Sequence, residues 1–175
     1  ERDVTRHTVT FGLRGNLTAK LSSTFRVGFE ERSPERSDQP GFIGYTTGGD
    51  WTYKPTERTT LSLATDRSVQ ESSFGTVPFY VTTSATLSAQ HEFTPKLSAN
   101  VRLTGGVSDY SLKQTLDGET KFRQDRFFGA GVGLEYHIQP WLSTGAEYSK
   151  TGRRSNFNAF DFVDDKISAR VTLQF

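Results

Sequence analysis

The residues able to do chemistry are dispersed, and their spacing argues against most reactions. Asp161, Asp164 and Asp165 could gather around a cation such as Ca²⁺, but they lack the ligand spacing of an EF-hand loop. An exposed acidic loop accounts for them. His7, His91 and His137 stand far apart, with no metal-ligand spacing. The absence of Cys removes disulfide frameworks and thiolate metal sites. Gly129, Gly131 and Gly133 have the look of a nucleotide loop, yet they alternate with Phe128, Ala130, Val132 and Leu134, and no helix follows. A phosphate cradle needs that helix, so these glycines read as small residues that make room for bulky neighbours or let a strand bend. Ser and His are present, but nothing arranges a triad. No catalytic residue, metal site or cofactor is expected.

A second set is coherent. Arg14, Arg26, Glu30, Asp50, Asp66, Asn100, Arg102, Glu135, Glu147, Lys166 and Arg170 all take the polar positions of alternating segments. On the lipid side of a membrane strand, Arg or Lys would cost roughly 2–4 kcal/mol at the midplane. These residues are therefore expected to line the lumen of a barrel. There they could border a path for a polar or anionic solute. The competing arrangement is a packed, ion-paired lumen through which nothing passes.

The elements that must position them are strands. In the last segment Ile167, Ala169, Val171, Leu173 and Phe175 alternate with Lys166, Ser168, Arg170, Thr172 and Gln174. A period of two marks a strand with one apolar and one polar face. The pattern recurs through Val9, Phe11 and Leu13; Phe25, Val27 and Phe29; Ile43, Tyr45, Trp51 and Tyr53; Leu61 and Leu63; Ala85, Leu87 and Ala89; Leu97, Ala99, Val101 and Leu103; Phe128, Ala130, Val132, Leu134 and Tyr136; and Leu142, Ala146 and Tyr148. With the terminal segment this predicts about nine strands, each long enough to cross a bilayer at a tilt, for which about 9–11 residues suffice. Eight strands in a complete barrel is the competing count.

Connections alternate between tight and long. Leu17-Thr18-Ala19-Lys20-Leu21-Ser22, Phe93-Thr94-Pro95-Lys96-Leu97-Ser98 and Ile138-Gln139-Pro140-Trp141-Leu142-Ser143 resemble one another, and Lys54-Pro55-Thr56-Glu57-Arg58 occupies the equivalent place. The recurrence, roughly forty residues apart, fits a hairpin unit in a meander. The stretches 33–40, 72–78, 113–124 and 154–161 read as long polar connections. Trp51, Tyr53, Phe93, Tyr136 and Trp141 gather towards the tight turns, as an interfacial aromatic girdle would, with a sugar-stacking platform as the rival reading.

Composition agrees. Hydrophobic residues make up 33% of 175 residues and mean hydropathy is -0.57, low for a water-soluble core. Aromatics reach 13%, too many for a disordered chain. Strands that show only alternate residues to lipid reconcile the two. No run of 18 apolar residues exists, so no transmembrane helix is expected. A net charge of +1 gives no footprint for nucleic acid. The whole chain, 1–175, reads as one domain: an all-β, antiparallel transmembrane barrel meander.

In bacterial barrels the short turns are periplasmic and the long loops extracellular. Nine strands with Phe175 at the periplasmic end place Glu1 outside. Bacterial single-chain barrels normally have an even strand number. The expectation is a barrel lacking N-terminal strands, of which this chain forms the C-terminal part. The start at Glu1-Arg2-Asp3, with no signal peptide visible, reads as a mature product or a fragment.

From about Gly12 onward the chain resembles the putative β-barrel porin type 2 family. The resemblance is carried by Gly12-Leu13-Arg14-Gly15-Asn16-Leu17-Thr18, Lys20-Leu21-Ser22, Val27-Gly28-Phe29, Arg123-x-Asp125, Gly131-x-Gly133-Leu134-x-Tyr136, Trp141-Leu142, Tyr148 and Arg154-Ser155-Asn156. Phe162-x-x-Asp165 departs from the Tyr-x-x-Asn expected there. The resemblance implies an outer-membrane barrel of a Gram-negative bacterium, associated with exopolysaccharide production and export, in a chain about twice as long or more. It implies a porin-like channel for a polar solute, with exopolysaccharide as the candidate cargo. A non-conducting structural or binding barrel and an outer-membrane barrel enzyme are the alternatives. The terminal Phe175 resembles the insertion signal read by the barrel-insertion machinery, which makes that machinery and outer-membrane lipid the expected partners.

Overall fold

The computed structural model describes residues 4–34, 41–72, 78–116 and 118–174. It contains β1 (Val4–Thr18), β2 (Leu21–Pro34), β3 (Phe42–Thr56), β4 (Thr59–Glu71), β5 (Phe79–Thr94), β6 (Leu97–Leu116), β7 (Glu119–Gln139), β8 (Leu142–Ser155) and β9 (Phe162–Leu173), with a short 3-10 turn at Asn158–Phe160 before β9. The strands form one antiparallel sheet in sequence order, β1 to β9. The nine expected strands are thus present, and the eight-stranded closed barrel is excluded. β1 and β9 have no outer neighbour among the described residues, so the sheet is a partial barrel wall. In lipid an unpaired strand edge leaves backbone groups unsatisfied at several kcal/mol each. Both edges therefore require a pairing partner in a membrane. Glu1 and Phe175, and the orientation and insertion expectations attached to them, lie outside the described residues.

Two of the tight turns are built alike. The Thr18 hydroxyl accepts the N–H groups of Lys20 (3.2 Å) and Leu21 (3.0 Å). Thr94 does the same for Lys96 (3.2 Å) and Leu97 (3.0 Å). A Thr side chain that closes its own turn explains why Thr-x-Lys-Leu recurs. Each turn is also tied to the next hairpin. The carbonyls of Lys20, Arg58, Lys96 and Trp141 accept the backbone N–H groups of Lys54, Glu92, His137 and Gln174, at 2.8–2.9 Å. The sequence repeat is therefore a repeat of one stitch between successive hairpins.

One connection differs from expectation. The stretch 113–124 is not a loop. β6 and β7 continue through it as a paired extension, with Lys113 opposite Phe122, Thr115 opposite Thr120 and Leu116 opposite Glu119. Gly118, at φ 80°, turns the chain, a conformation that L side chains resist. The hydroxyls of Thr115 and Thr120 meet at 2.8 Å across this hairpin.

Packing is inverted relative to a water-soluble domain. Among the described residues the buried hydrophobic side chains are Val69, Phe79, Tyr110 and Phe157. Leu13 is 78% exposed, Phe11 72% and Ile167 83%. Register explains the pattern. Val9, Phe11 and Leu13 pair with Phe29, Val27 and Phe25, and Leu61, Ala89, Val101, Val132, Tyr148 and Ile167 form one unbroken cross-strand row. Paired residues share a face, so these side chains form one apolar face with no protein over it. So small a buried core cannot offset the entropy of ordering this chain. The apolar face needs an apolar solvent.

Candidate functional site

The opposite face gathers the polar side chains. Register places all of Arg14, Arg26, Glu30, Asp50, Asp66, Asn100, Arg102, Glu135, Glu147, Lys166 and Arg170 on it. They fall into distinct groups.

The larger group spans β6 to β9. Three neighbouring rows run Ser98–Glu135–Gly145–Arg170, Asn100–Gly133–Glu147–Ser168 and Arg102–Gly131–Ser149–Lys166. Long polar side chains thus alternate with glycine or serine. The reason is steric: a Cβ added to Gly133 would lie 2.7 Å from the Asn100 amide nitrogen. The glycines form the floor over which the charged side chains extend. Hydroxyls and amides continue the surface across β4 and β5, where Thr60 pairs with Gln90 and Ser62 with Ser88. A hollow of about 390 Å³ is bordered by Ser62, Gln90, Asn100, Arg102, Glu135 and Glu147. A smaller one, about 120 Å³, adjoins it beside Gly145 and Arg170. A wall of this kind presents donors and acceptors of both charges to a hydrated ligand.

The second group lies on β1 to β4. Arg26 Nη2 meets Asp50 Oδ2 at 2.9 Å, with both side chains about half exposed. The guanidinium rests over Gly48, whose missing side chain leaves it room. Asp66 accepts a hydrogen bond from the Ser68 hydroxyl at 2.6 Å, and Arg14 sits opposite Thr24.

Glu30 stands apart. It is buried in an ion pair with Arg32. Arg32 also donates to the Val69 carbonyl at 2.8 Å and packs on the Phe79 ring at 5.6 Å. This belongs to packing at the end of the sheet remote from the tight turns. A second buried cluster occupies the same end of β6 and β7. Arg123 and Asp125 are each 1% exposed. Arg123 donates from Nε to Asp125 Oδ1 at 2.9 Å and from Nη2 to Oδ2 at 2.5 Å. Its guanidinium lies between the rings of Phe160 (3.5 Å) and Tyr110 (4.4 Å), and Tyr80 stacks on Tyr110 at 4.9 Å. Arg153 approaches Asp125 at 3.9 Å and donates to the Phe160 carbonyl at 3.0 Å. Sequence reasoning did not assign these two pairs. The available signal was opposite charge at i and i+2 on one strand, Glu30-x-Arg32 and Arg123-x-Asp125, because such residues share a face.

Of the aromatics expected to form a girdle, Tyr53, Phe93, Tyr136 and Trp141 lie beside the tight turns. Phe93 meets the His91 ring edge-on at 4.8 Å. Trp51 sits further up β3, its ring folded over Gly49. At the Phe162-x-x-Asp165 segment, Asp165 accepts from the Tyr148 hydroxyl at 2.5 Å and from Lys150 at 3.3 Å. Among the described residues no group of His, Cys, Asp or Glu could hold a metal ion.

A comparison with protein families agrees with this architecture and extends the resemblance beyond Gly12. The family described as putative beta-barrel porin 2 matches residues 1–175. No curated protein gives a significant match. With the family covering the full length of an all-β meander whose apolar face points away from the protein, the chain belongs to the putative beta-barrel porin 2 family.

Proposed function

We propose that the chain forms part of the wall of an outer-membrane channel in a Gram-negative bacterium, through which a polar solute passes or is exported, with exopolysaccharide as the candidate cargo. In this reading the apolar face meets lipid and the polar face meets water, with the tight turns periplasmic and the long connections extracellular. Lipid and the barrel-insertion machinery are then its partners. The observation that carries the reading is the glycine-floored surface of Asn100, Arg102, Glu135, Glu147, Lys166 and Arg170, continued by Ser62, Ser88 and Gln90. A sugar or ion leaving bulk water loses hydrogen bonds. This wall offers replacements, none of them strong enough to hold the solute. Passage is passive, and no residue is assigned a catalytic role.

The test is conductance in planar bilayers. Alanine at Arg26, Arg102 and Arg170 removes three cations and shifts ion selectivity towards cations. Unchanged selectivity removes these side chains from the path. No ion flow, together with no solute uptake by liposomes, overturns the channel itself.

A second reading, a binding barrel that conducts nothing, draws support from one feature. The Arg123–Asp125 and Arg32–Glu30 clusters pack the polar face at the extracellular end, where a mouth would open. The same conductance measurement separates the two.

A further inference from the structure

On the apolar face more than one cross-strand row carries charge: one holds the Lys150–Asp165 ion pair, and another, further from the tight turns, holds arginines. The arginine row runs Thr47, Arg67, Thr83, Val107, Arg126, Arg154 from β3 to β8. Leading to it from the tight turns, β7 shows Tyr136, Leu134, Val132, Ala130 and Phe128 before Arg126. β8 shows Ala146, Tyr148, Lys150 and Gly152 before Arg154. A tilted strand crosses an apolar band of about 25 Å in roughly ten residues. The stretches from Gln139 to Arg126 and from Leu142 to Arg154 exceed that length. Both arginines therefore stand just beyond the apolar band, on the face that points at lipid.

Arg126 and Arg154 occupy directly opposed positions on adjacent strands, and both are exposed. Opposed side chains start from Cβ atoms about 4.5–5.5 Å apart, and like charges there destabilise the sheet. Neither arginine makes an ion pair with a carboxylate among the described residues. The nearby acids are engaged elsewhere: Asp109 accepts from Gln124 at 2.7 Å, Asp161 from the Ser155 N–H at 2.6 Å, and Asp165 from Lys150 at 3.3 Å. Arg67, in the same row, is turned to Thr83 and the Tyr45 ring. Two guanidiniums on directly opposed positions, with no carboxylate partner among the described residues, can together grip one tetrahedral dianion, because each can donate two parallel hydrogen bonds to phosphate oxygens.

We propose that Arg126 and Arg154 clamp the phosphate of an anionic lipid headgroup in the outer leaflet. The lipid's acyl chains would descend beside Phe128 and Val132. A lipid is favoured over a free anion because the pair sits where the apolar face ends. The proposal rests on the outer-membrane reading above.

The test uses the full-length protein, in which the edges of β1 and β9 are paired, in phosphatidylcholine nanodiscs doped with bisphosphorylated lipid A, with retained lipid counted by native mass spectrometry. The wild type retains the phosphorylated lipid, and Arg126→Gln/Arg154→Gln retains it about tenfold less well. Arg126→Lys/Arg154→Lys, which keeps the charge without the fork, falls between them. Lipid A stripped of phosphate is not retained, and excess inorganic phosphate does not displace the bound lipid. Equal retention by wild type and the Gln variant overturns the clamp. Displacement by inorganic phosphate identifies a free-anion site and overturns the lipid assignment. Failure of the outer-membrane reading has a separate signature: the full-length wild type, with the β1 and β9 edges paired, would not insert into nanodiscs of either composition.

Discussion

Replacing Leu87 and its neighbour Ser88 by Arg, one at a time, tests which face meets lipid. Leu87 registers between Leu63 and Leu103, and these three are 49%, 39% and 48% exposed in the protein alone. An outward Arg near the bilayer midplane costs about 2–4 kcal/mol. Losing a leucine that lipid covers over about half its surface adds about 1 kcal/mol. Leu87→Arg therefore loses about 3–5 kcal/mol, a drop of about 150- to 5,000-fold in the folded-to-unfolded ratio. Ser88 faces the other way, between Ser62 and Arg102. Ser88→Arg meets water and one like charge across the strand pair, a penalty of about 1 kcal/mol or less. The two changes insert the same side chain one residue apart, so propensity and charge count cancel. Urea titration of protein folded into phospholipid vesicles, followed by the fluorescence of Trp51 and Trp141, reads the difference. Equal midpoints, or a larger loss for Ser88→Arg, would refute the assignment of faces.

Other outcomes follow from single contacts. Asp125→Ala leaves the buried Arg123 guanidinium without its carboxylate, and thermal unfolding should report a loss of about 3–5 kcal/mol. Replacing both partners, as Arg123→Met/Asp125→Leu, recovers most of it. Gly118→Ala places a side chain at φ 80° and costs about 1 kcal/mol, seen as faster proteolytic cutting at the β6–β7 tip. At that tip, well beyond the apolar band, the Lys121 ammonium donates to Glu119 at 2.6 Å and holds its carboxyl below the usual range. The small stabilisation it contributes is present above the ordinary Glu value and is lost as pH falls through the lowered one. Lys121→Gln should move the Glu119 titration back upward, as read by NMR of the labelled carboxyl.

Much of the fold was legible because a strand between lipid and water must alternate, and alternation is written in the residue order. Val9, Phe11 and Leu13 or Ile167, Ala169 and Val171 could be read without a structure. The stretch 113–124 could not. Beyond the apolar face nothing imposes a period of two, and Lys113, Thr115, Thr120 and Lys121 look like loop residues while pairing as strands. Arg123-x-Asp125 was visible as a motif but not as a buried pair. Its burial depends on Tyr110 from the preceding strand and Phe160 from the turn before β9, and those distances along the chain carry no local signal.

The residue order by itself determined the element type, the strand number, the tight-turn positions and which side chains share a face, since all of these follow from local periodicity and from Thr and Pro in turns. Register and burial were decided only by the tertiary structure. Pairing seats Asn100 over Gly133 and sets Arg126 opposite Arg154. It also leaves β1 and β9 without an outer neighbour among the described residues. The physical reason is that cross-strand hydrogen bonding is indifferent to side-chain identity. A shift by two residues would preserve both faces while changing every neighbour, so the neighbours of a charge emerge only when the whole sheet is assembled.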